Sequence, residues 1–183
     1  MLWLVLIINT LLSFTIQAQG ISLEIQKVKA LPTFYQDFCD RWPGECDLSG
    51  RSSVGYTKRI KELVNTVNTA VNTELHFQLD QLTYDREEFW NYPQDGRGDC
   101  EDNALEKRRR LVALGIPRGA LRIMTAFHRE LYYGHALLAL ETDQGTYILD
   151  QDNPKILLWN KINYIIEARE TVNGRWERFF QDW

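Results

Sequence analysis

Histidine and cysteine are scarce in this chain, with three of each among 183 residues. They do not fall into the Cys and His spacings of a zinc site, which removes zinc chemistry from consideration. Basic charge is also short. Lys and Arg number 21 against 25 Asp and Glu, for a net charge of −4, and no basic block dominates. The one basic run, Lys107-Arg108-Arg109-Arg110, lies inside a helical pattern and reads as a solvated helix face, not as a nucleic-acid site. Internal repeats and low-complexity tracts are missing as well. The 44% apolar and 25% charged fractions are those of a globular protein. A chain of this length holds one domain with a proper core and not two comfortable ones.

Charge is absent altogether from residues 1–20, MLWLVLIINTLLSFTIQAQG. An apolar stretch from Leu2 to Ile16 is followed by Ala18 and Gly20 at the spacing of a cleavage site, the pattern of an export signal. The stretch is short for a membrane span. No Lys or Arg precedes it, so an uncleaved N-terminal anchor is the alternative. Both readings place a single folded domain, residues 21–183, outside the cytoplasm. In an oxidising compartment Cys39 and Cys46, which flank the Pro43-Gly44 turn, are either bridged or two unpaired thiols in a loop. Cys100 is then the leftover thiol, which raises the question of reactivity.

Residues 33–40 read as a short helix within a Pro-, Gly- and Ser-containing segment. Over 56–75, Ile60, Leu63, Val64, Val67, Val71 and Leu75 recur at three- and four-residue steps, an amphipathic helix. Residues 76–80 read as extended, and 81–98 as a long ordered loop. A second helix is expected over 100–114, with Asp99 capping it by accepting from the Asp102 N–H while the Asp102 carboxylate reaches back. Its buried stripe would be Ala104, Leu105, Leu111, Val112 and Leu114, with Gly115 and Pro117 ending it. Strands follow at 120–128, 135–142 and 145–151, the last two forming a hairpin through Asp143-Gln144-Gly145. The remainder, 155–183, reads as one further strand and an aromatic packing tail.

A cysteine in the first helical turn faces the positive end of the helix dipole, which favours thiolate. It needs a base, and the base needs an orienting acceptor. Of His76, His128 and His135, the last begins a hairpin strand after Gly134, a residue that lets another group approach closely. Any even-length hairpin loop sets Asp150 on the same face as His135, and Asp152 too. Asp150 is preferred because Asp152 stands nearer the strand end, before Asn153-Pro154, where a turn-forming Asp is expected. Trp90 either shields or lines such a site, or is a core aromatic.

GRGDCEDNALEKRRRLVALGIP (96–117), GHALLAL (134–140) and GTYILDQDN (145–153) together resemble the bacterial transglutaminase-like cysteine peptidases. The resemblance extends through VNTAVNTELHFQLDQ (67–81) and EEFWNYP (87–93), and covers roughly residues 34–170. It implies an α+β, papain/transglutaminase-like fold, with helices packed on an antiparallel sheet and the nucleophile at a helix N-terminus. It implies a triad of Cys100, His135 and Asp150, and calcium held by Asp99, Glu101 and Asp102. The ion would answer a question of charge, since three acids beside Cys100 would otherwise raise its pKa and repel one another. The alternative is that Asp99 and Asp102 only cap the helix and Glu101 faces water. The resemblance further implies a periplasmic endopeptidase that cuts a large surface adhesin near its N-terminus and so releases cells from a biofilm. An inner-membrane receptor responsive to cyclic di-GMP would hold it inactive. The chain departs from the family pattern at Asn103, where an aromatic is usual, at Gln151, and in a shortened stretch between Pro93 and Gly98. Two other readings remain. The same three residues serve a transglutaminase or deamidase acting on protein glutamine, and the fold could be a binding module without chemistry, against which the intact triad argues.

Overall fold

The computed structural model describes residues 25–29, 32–172 and 175–179. The expected export signal or anchor at residues 1–20 lies outside them. Helix α1 (Thr33–Arg41) ends against a one-turn 3-10 segment at Pro43–Glu45, and a Cys39–Cys46 disulfide closes this corner. Helix α2 (Lys58–Glu74) starts where Thr57 accepts from the Ile60 N–H and buries Val64, Val67 and Val71 along one stripe, as its three- and four-residue steps predict.

The segment expected to be extended and then a loop holds more structure than its sequence declares. Strand β1 is Ile25–Lys29; β2 (His76–Phe77) pairs in parallel with β3 (Arg97–Gly98), and helix α3 (Asp80–Tyr84) lies between them. A tight turn at 94–97 makes this pairing possible. Asp95 and Gly96 both have positive φ, and Gln94 and Arg97 exchange backbone hydrogen bonds at 2.9 Å. Elements of two and five residues carry no readable period, which is why the sequence shows only a polar stretch there.

Helix α4 (Cys100–Ala113) packs along the sheet and against α2. The strands are β4 (Leu121–His128), β5 (Gly134–Thr142), β6 (Gly145–Leu149), β7 (Leu157–Leu158), β8 (Tyr164–Glu170) and β9 (Trp176–Phe179). They form one antiparallel sheet with β1, in the order β1-β9-β8-β4-β5-β6-β7. Among the described residues beyond 155 there are thus three strands, not one; the shortest, β7, has two residues. Alternate residues of the central strands feed two apolar clusters. Leu121, Ile123, Leu138, Leu140 and Leu149 meet the helices, while Met124, Leu137, Ala139 and Ile148 pack on the other face with Tyr164, Ile166 and Phe179. Residues 135–140 are therefore buried without interruption, and β5 is a rigid support for whatever it carries.

Two expectations for α4 need correction. Leu114 is exposed and Val112 half-buried, so the apolar stripe is Ala104, Leu105 and Leu111. The basic run is not a solvated face: Lys107 and Arg108 are fully buried. Enclosure by α2 and the sheet leaves α4 little water, and of its two buried cations Arg108 finds an acid inside while the Lys107 Nζ has no hydrogen-bond partner. Arg108 donates twice to Glu170 at 2.8 and 2.9 Å, and only Arg109 and Arg110 turn outward, both toward Glu106.

Candidate active site

The site forms where the N-terminus of α4 meets the beginning of β5. Register sets its geometry. Thr142 pairs Gly145 across a two-residue loop, and the pairing runs to Leu138 opposite Leu149. Continued by parity, it places residues 150 and 152 on the His135 side of the hairpin. His135 Nε2 meets Asp150 Oδ1 at 2.8 Å and is 4.0 Å from Asp152 Oδ2. Asp150 is buried, whereas the Asp152 side chain is about half exposed and accepts from the Tyr133 hydroxyl at 3.0 Å. Tyr164 stacks on the imidazole at 5.1 Å and Tyr133 meets it edge-on at 6.1 Å, so the ring is held on both sides. Pairing of Nε2 with Asp150 leaves Nδ1 as the ring nitrogen that the acid does not engage. His76 lies at the exposed start of β2, whereas His128, at the end of β4, contacts the same Tyr133 and Tyr164 that flank His135.

Cys100 is the first residue of α4, and its Sγ accepts from the Ala136 N–H, one residue past His135, at 3.3 Å. That contact ties the helix start to the strand carrying the imidazole. The thiol donates to Glu101 Oε2 at 3.2 Å. Burial first, then the Glu101 carboxyl, raise the Cys100 pKa well above its ordinary value, with the Ala136 N–H pulling the other way. In this state burial, and after it the neighbouring acids, hold the thiol protonated. Two cavities of about 510 and 280 Å³ share Cys100, Glu101, Gly134 and His135 in their walls, so an open cleft passes the sulfur on both sides. Phe77, Leu79 and Tyr133 wall the larger; Trp90 and Phe127 the smaller. Trp90 is a core aromatic, 2% exposed and packed on Phe34 and Tyr35, and it also lines the smaller cavity. A Cβ on Gly134 would meet nothing nearer than Phe127 at 4.0 Å, so this glycine borders the cleft rather than admitting a close neighbour. The close approach belongs to Gly98, where a Cβ would fall 2.7 Å from that of Asp102.

The acids are arranged differently from the capping expectation. Asp99 makes no side-chain cap, and its Oδ1 is buried without a partner. Asp102 does not reach back to the cap; its Oδ1 accepts from the Asn91 N–H at 3.1 Å. The β2–β3 pairing carries Asp80 beside the start of α4, and oxygens of Asp80, Asp99 and Glu101 lie within 4.8 Å of one another. Asp102 stands outside that trio. Burial, then the charge of Asp99, raises Asp80 to about 6, Asp102 to about 8, and Glu101 well above its usual range. Three buried carboxylates at that spacing, one with an orphaned oxygen, fit a hard cation, whose oxygen ligands at about 2.3–2.6 Å span up to about twice that distance. Sequence reasoning missed Asp80 because nothing in its local context marks it; only a two-residue parallel pairing connects it to Asp99.

Residues 25–182 match the family described as bacterial transglutaminase-like cysteine proteinase, BTLCP. The chain belongs to this family. It is a cysteine peptidase with the family's α+β fold, helices on an antiparallel sheet and the cysteine at a helix N-terminus. Among solved structures it is similar to calcium-bound LapG of Legionella pneumophila, at TM-score 0.57 and 26% identity over 80% of this chain and 81% of that one. EGTA-treated LapG gives 0.56 and 26% over 80% and 78%, and a further LapG structure 0.54 and 25% over 80% and 81%. No curated protein sequence matches the chain. For a peptidase of this family two further features of the site were not read from sequence. Lys107 lies two helical turns from Cys100, and its buried Nζ has no hydrogen-bond partner. Burial lowers its pKa to about 7, while Asp150 and Asp152 pull it upward. On α2, Asn72 donates to the Asp150 carbonyl at 2.8 Å. Buried polar residues at helical spacing would have been the signal for both.

Proposed function

We propose that this peptidase is a calcium-dependent periplasmic endopeptidase that cleaves a large cell-surface adhesin near its N-terminus and so controls release from a biofilm. The observation that carries the reading is that Cys100 and His135 line one cleft, with Asp150 paired to the imidazole and three buried carboxylates beside the thiol. The likeness to LapG, solved with calcium bound and after EGTA treatment, supports the calcium requirement. The adhesin substrate and an inhibitory inner-membrane receptor that senses cyclic di-GMP come with the family resemblance, and the charge-free leader at residues 1–20 supports export.

Asp80, Asp99 and Glu101 would hold the ion, and Asp102 keeps the Asn91 backbone in place beside them. Bound calcium supplies positive charge that offsets the buried carboxylates next to the nucleophile. Glu101, if it held the ion, would no longer accept from the thiol. His135 Nδ1 then takes the Cys100 proton, and the thiolate attacks the scissile carbonyl. Asp150 fixes the ring and stabilises the imidazolium. Unpaired N–H groups at the start of α4, that of Cys100 included, stabilise the oxyanion. His135 returns the proton to the leaving amine, and a water activated by the same ring releases the acyl group from sulfur.

Adhesin fragments incubated with wild type and with Cys100→Ala, each with and without a calcium chelator, test the reading. Cleavage is expected only from wild type with calcium. Undiminished cutting by the alanine variant overturns the role of this thiol, and chelator-insensitive cutting by wild type removes calcium alone.

A further inference from the structure

Asp150 follows the last residue of β6, where the sheet ladder has ended, so its carbonyl needs a partner from elsewhere. Helix α2 provides one. Asn68 and Asn72 stand one turn apart on the same helix face. Asn72 Nδ2 donates to the Asp150 carbonyl at 2.8 Å, and Asn68 Nδ2 to the Pro154 carbonyl at 3.3 Å. Asn72 Oδ1 in turn accepts from Asn103 Nδ2 at 3.4 Å, and Asn103 is one turn along α4 from Cys100. A chain of side-chain amides thus runs from the helix of the nucleophile, through α2, to the backbone of the acid. Asp150 Oδ1 is shared between His135 Nε2 and the Asp152 N–H at 2.9 Å, so a small shift of this loop would disturb the imidazole contact directly.

We propose that Asn72 is a positioning residue for the peptidase reaction: its amide pins the Asp150 carbonyl and thereby keeps the acid aimed at His135. The proposal rests on the triad reading given above. Packing alone would hold a loop with apolar side chains. Here each amide spends a donor on a specific carbonyl, which fixes position and not merely proximity.

The test is the rate at which iodoacetamide alkylates Cys100 as a function of pH, in saturating calcium. Asn72→Asp keeps an acceptor for Asn103 and replaces the donor to Asp150 by an acidic oxygen. The expected result is a melting temperature near that of wild type, with an alkylation rate at neutral pH lower by on the order of tenfold or more and a shifted pH profile, since ångström-scale misplacement is costly. A purely structural role would not move the pH profile of folded Asn72→Ala, which adds no charge of its own. Should Asn72→Asp fail to fold, Asn72→Ala replaces it, because alanine favours the helix and brings no charge; the same slowing is expected. A folded variant with the wild-type profile overturns the proposal alone. Wild-type Cys100 that reacts no faster than in the urea-unfolded chain overturns the triad reading, and this proposal with it.

Discussion

Lys107 shows how much a single residue can hide in a basic run. Fully buried, with an unpaired ammonium, it destabilises the folded chain when charged, and Asp150 and Asp152 offset only part of that cost. Its pKa falls from an ordinary 10.5 to about 7. Between those values the unfolded chain binds the proton and the folded chain does not. The stability gained by leaving Lys107 neutral is therefore complete above the unfolded value and is lost as pH falls through about 7. Lys107→Met should abolish this dependence. Across the window the stability of wild type relative to the variant should climb with pH, at most by about 1.4 kcal/mol per unit, and below it the variant should be the more stable. Urea unfolding of both proteins over that range measures the difference. Curves that run parallel would mean that Lys107 keeps its charge in the fold through some other partner.

Among the elements, those long enough to show a period were legible: α2, α4 and strands β4 to β6 lie within one or two residues of their expected ends. What escaped were β1, the two-residue β3, the short helix α3 and two of the three described strands beyond residue 155, whereas β2 falls within the stretch read as extended. The cysteine corner sits between these cases, since spacing permitted a bridge without requiring one. Its bridge clamps the end of α1, whose Arg41 donates to the Trp90 carbonyl and to Asn91 Oδ1 at 3.1 Å. The Asn91 N–H is the group that Asp102 accepts from, so α1 is coupled through the Trp90 segment to the start of α4. The loop closed by the bridge is short, with a sequence separation of 7. Replacing Cys39 and Cys46 together by serine should cost about 2 kcal/mol of stability, mostly through the freed unfolded chain. A midpoint of urea unfolding unchanged from that of oxidised wild type would show that the corner is held by its packing alone.

For the whole molecule, helix start, hairpin parity and motif all point to Cys100, His135 and Asp150, and in the fold the first opens α4 while the other two are in hydrogen-bond contact. The cation site was legible only in part. Asp99 and Glu101 sit in the quoted motif, but Asp80 joins them only once β2 pairs with β3, and Asp102 turns instead to the Asn91 backbone. The consequence reaches the entire fold, because the trio is assembled from segments that have no such arrangement in the unfolded chain. A cation that binds only the folded state adds RT ln(1 + [L]/Kd) to stability, about 1.4 kcal/mol for each tenfold rise in calcium above Kd. Melting temperature should therefore rise with the logarithm of calcium concentration and fall back on chelation. Magnesium should do less, since it demands a tighter octahedral shell and gives up water reluctantly. Asp80→Asn and Asp99→Asn should each flatten the calcium dependence, whereas Asp102→Asn, outside the trio, should leave most of it. Equal flattening by all three would place Asp102 among the ligands after all, and a wild-type melting temperature indifferent to calcium would leave the buried carboxylates without an ion to explain them.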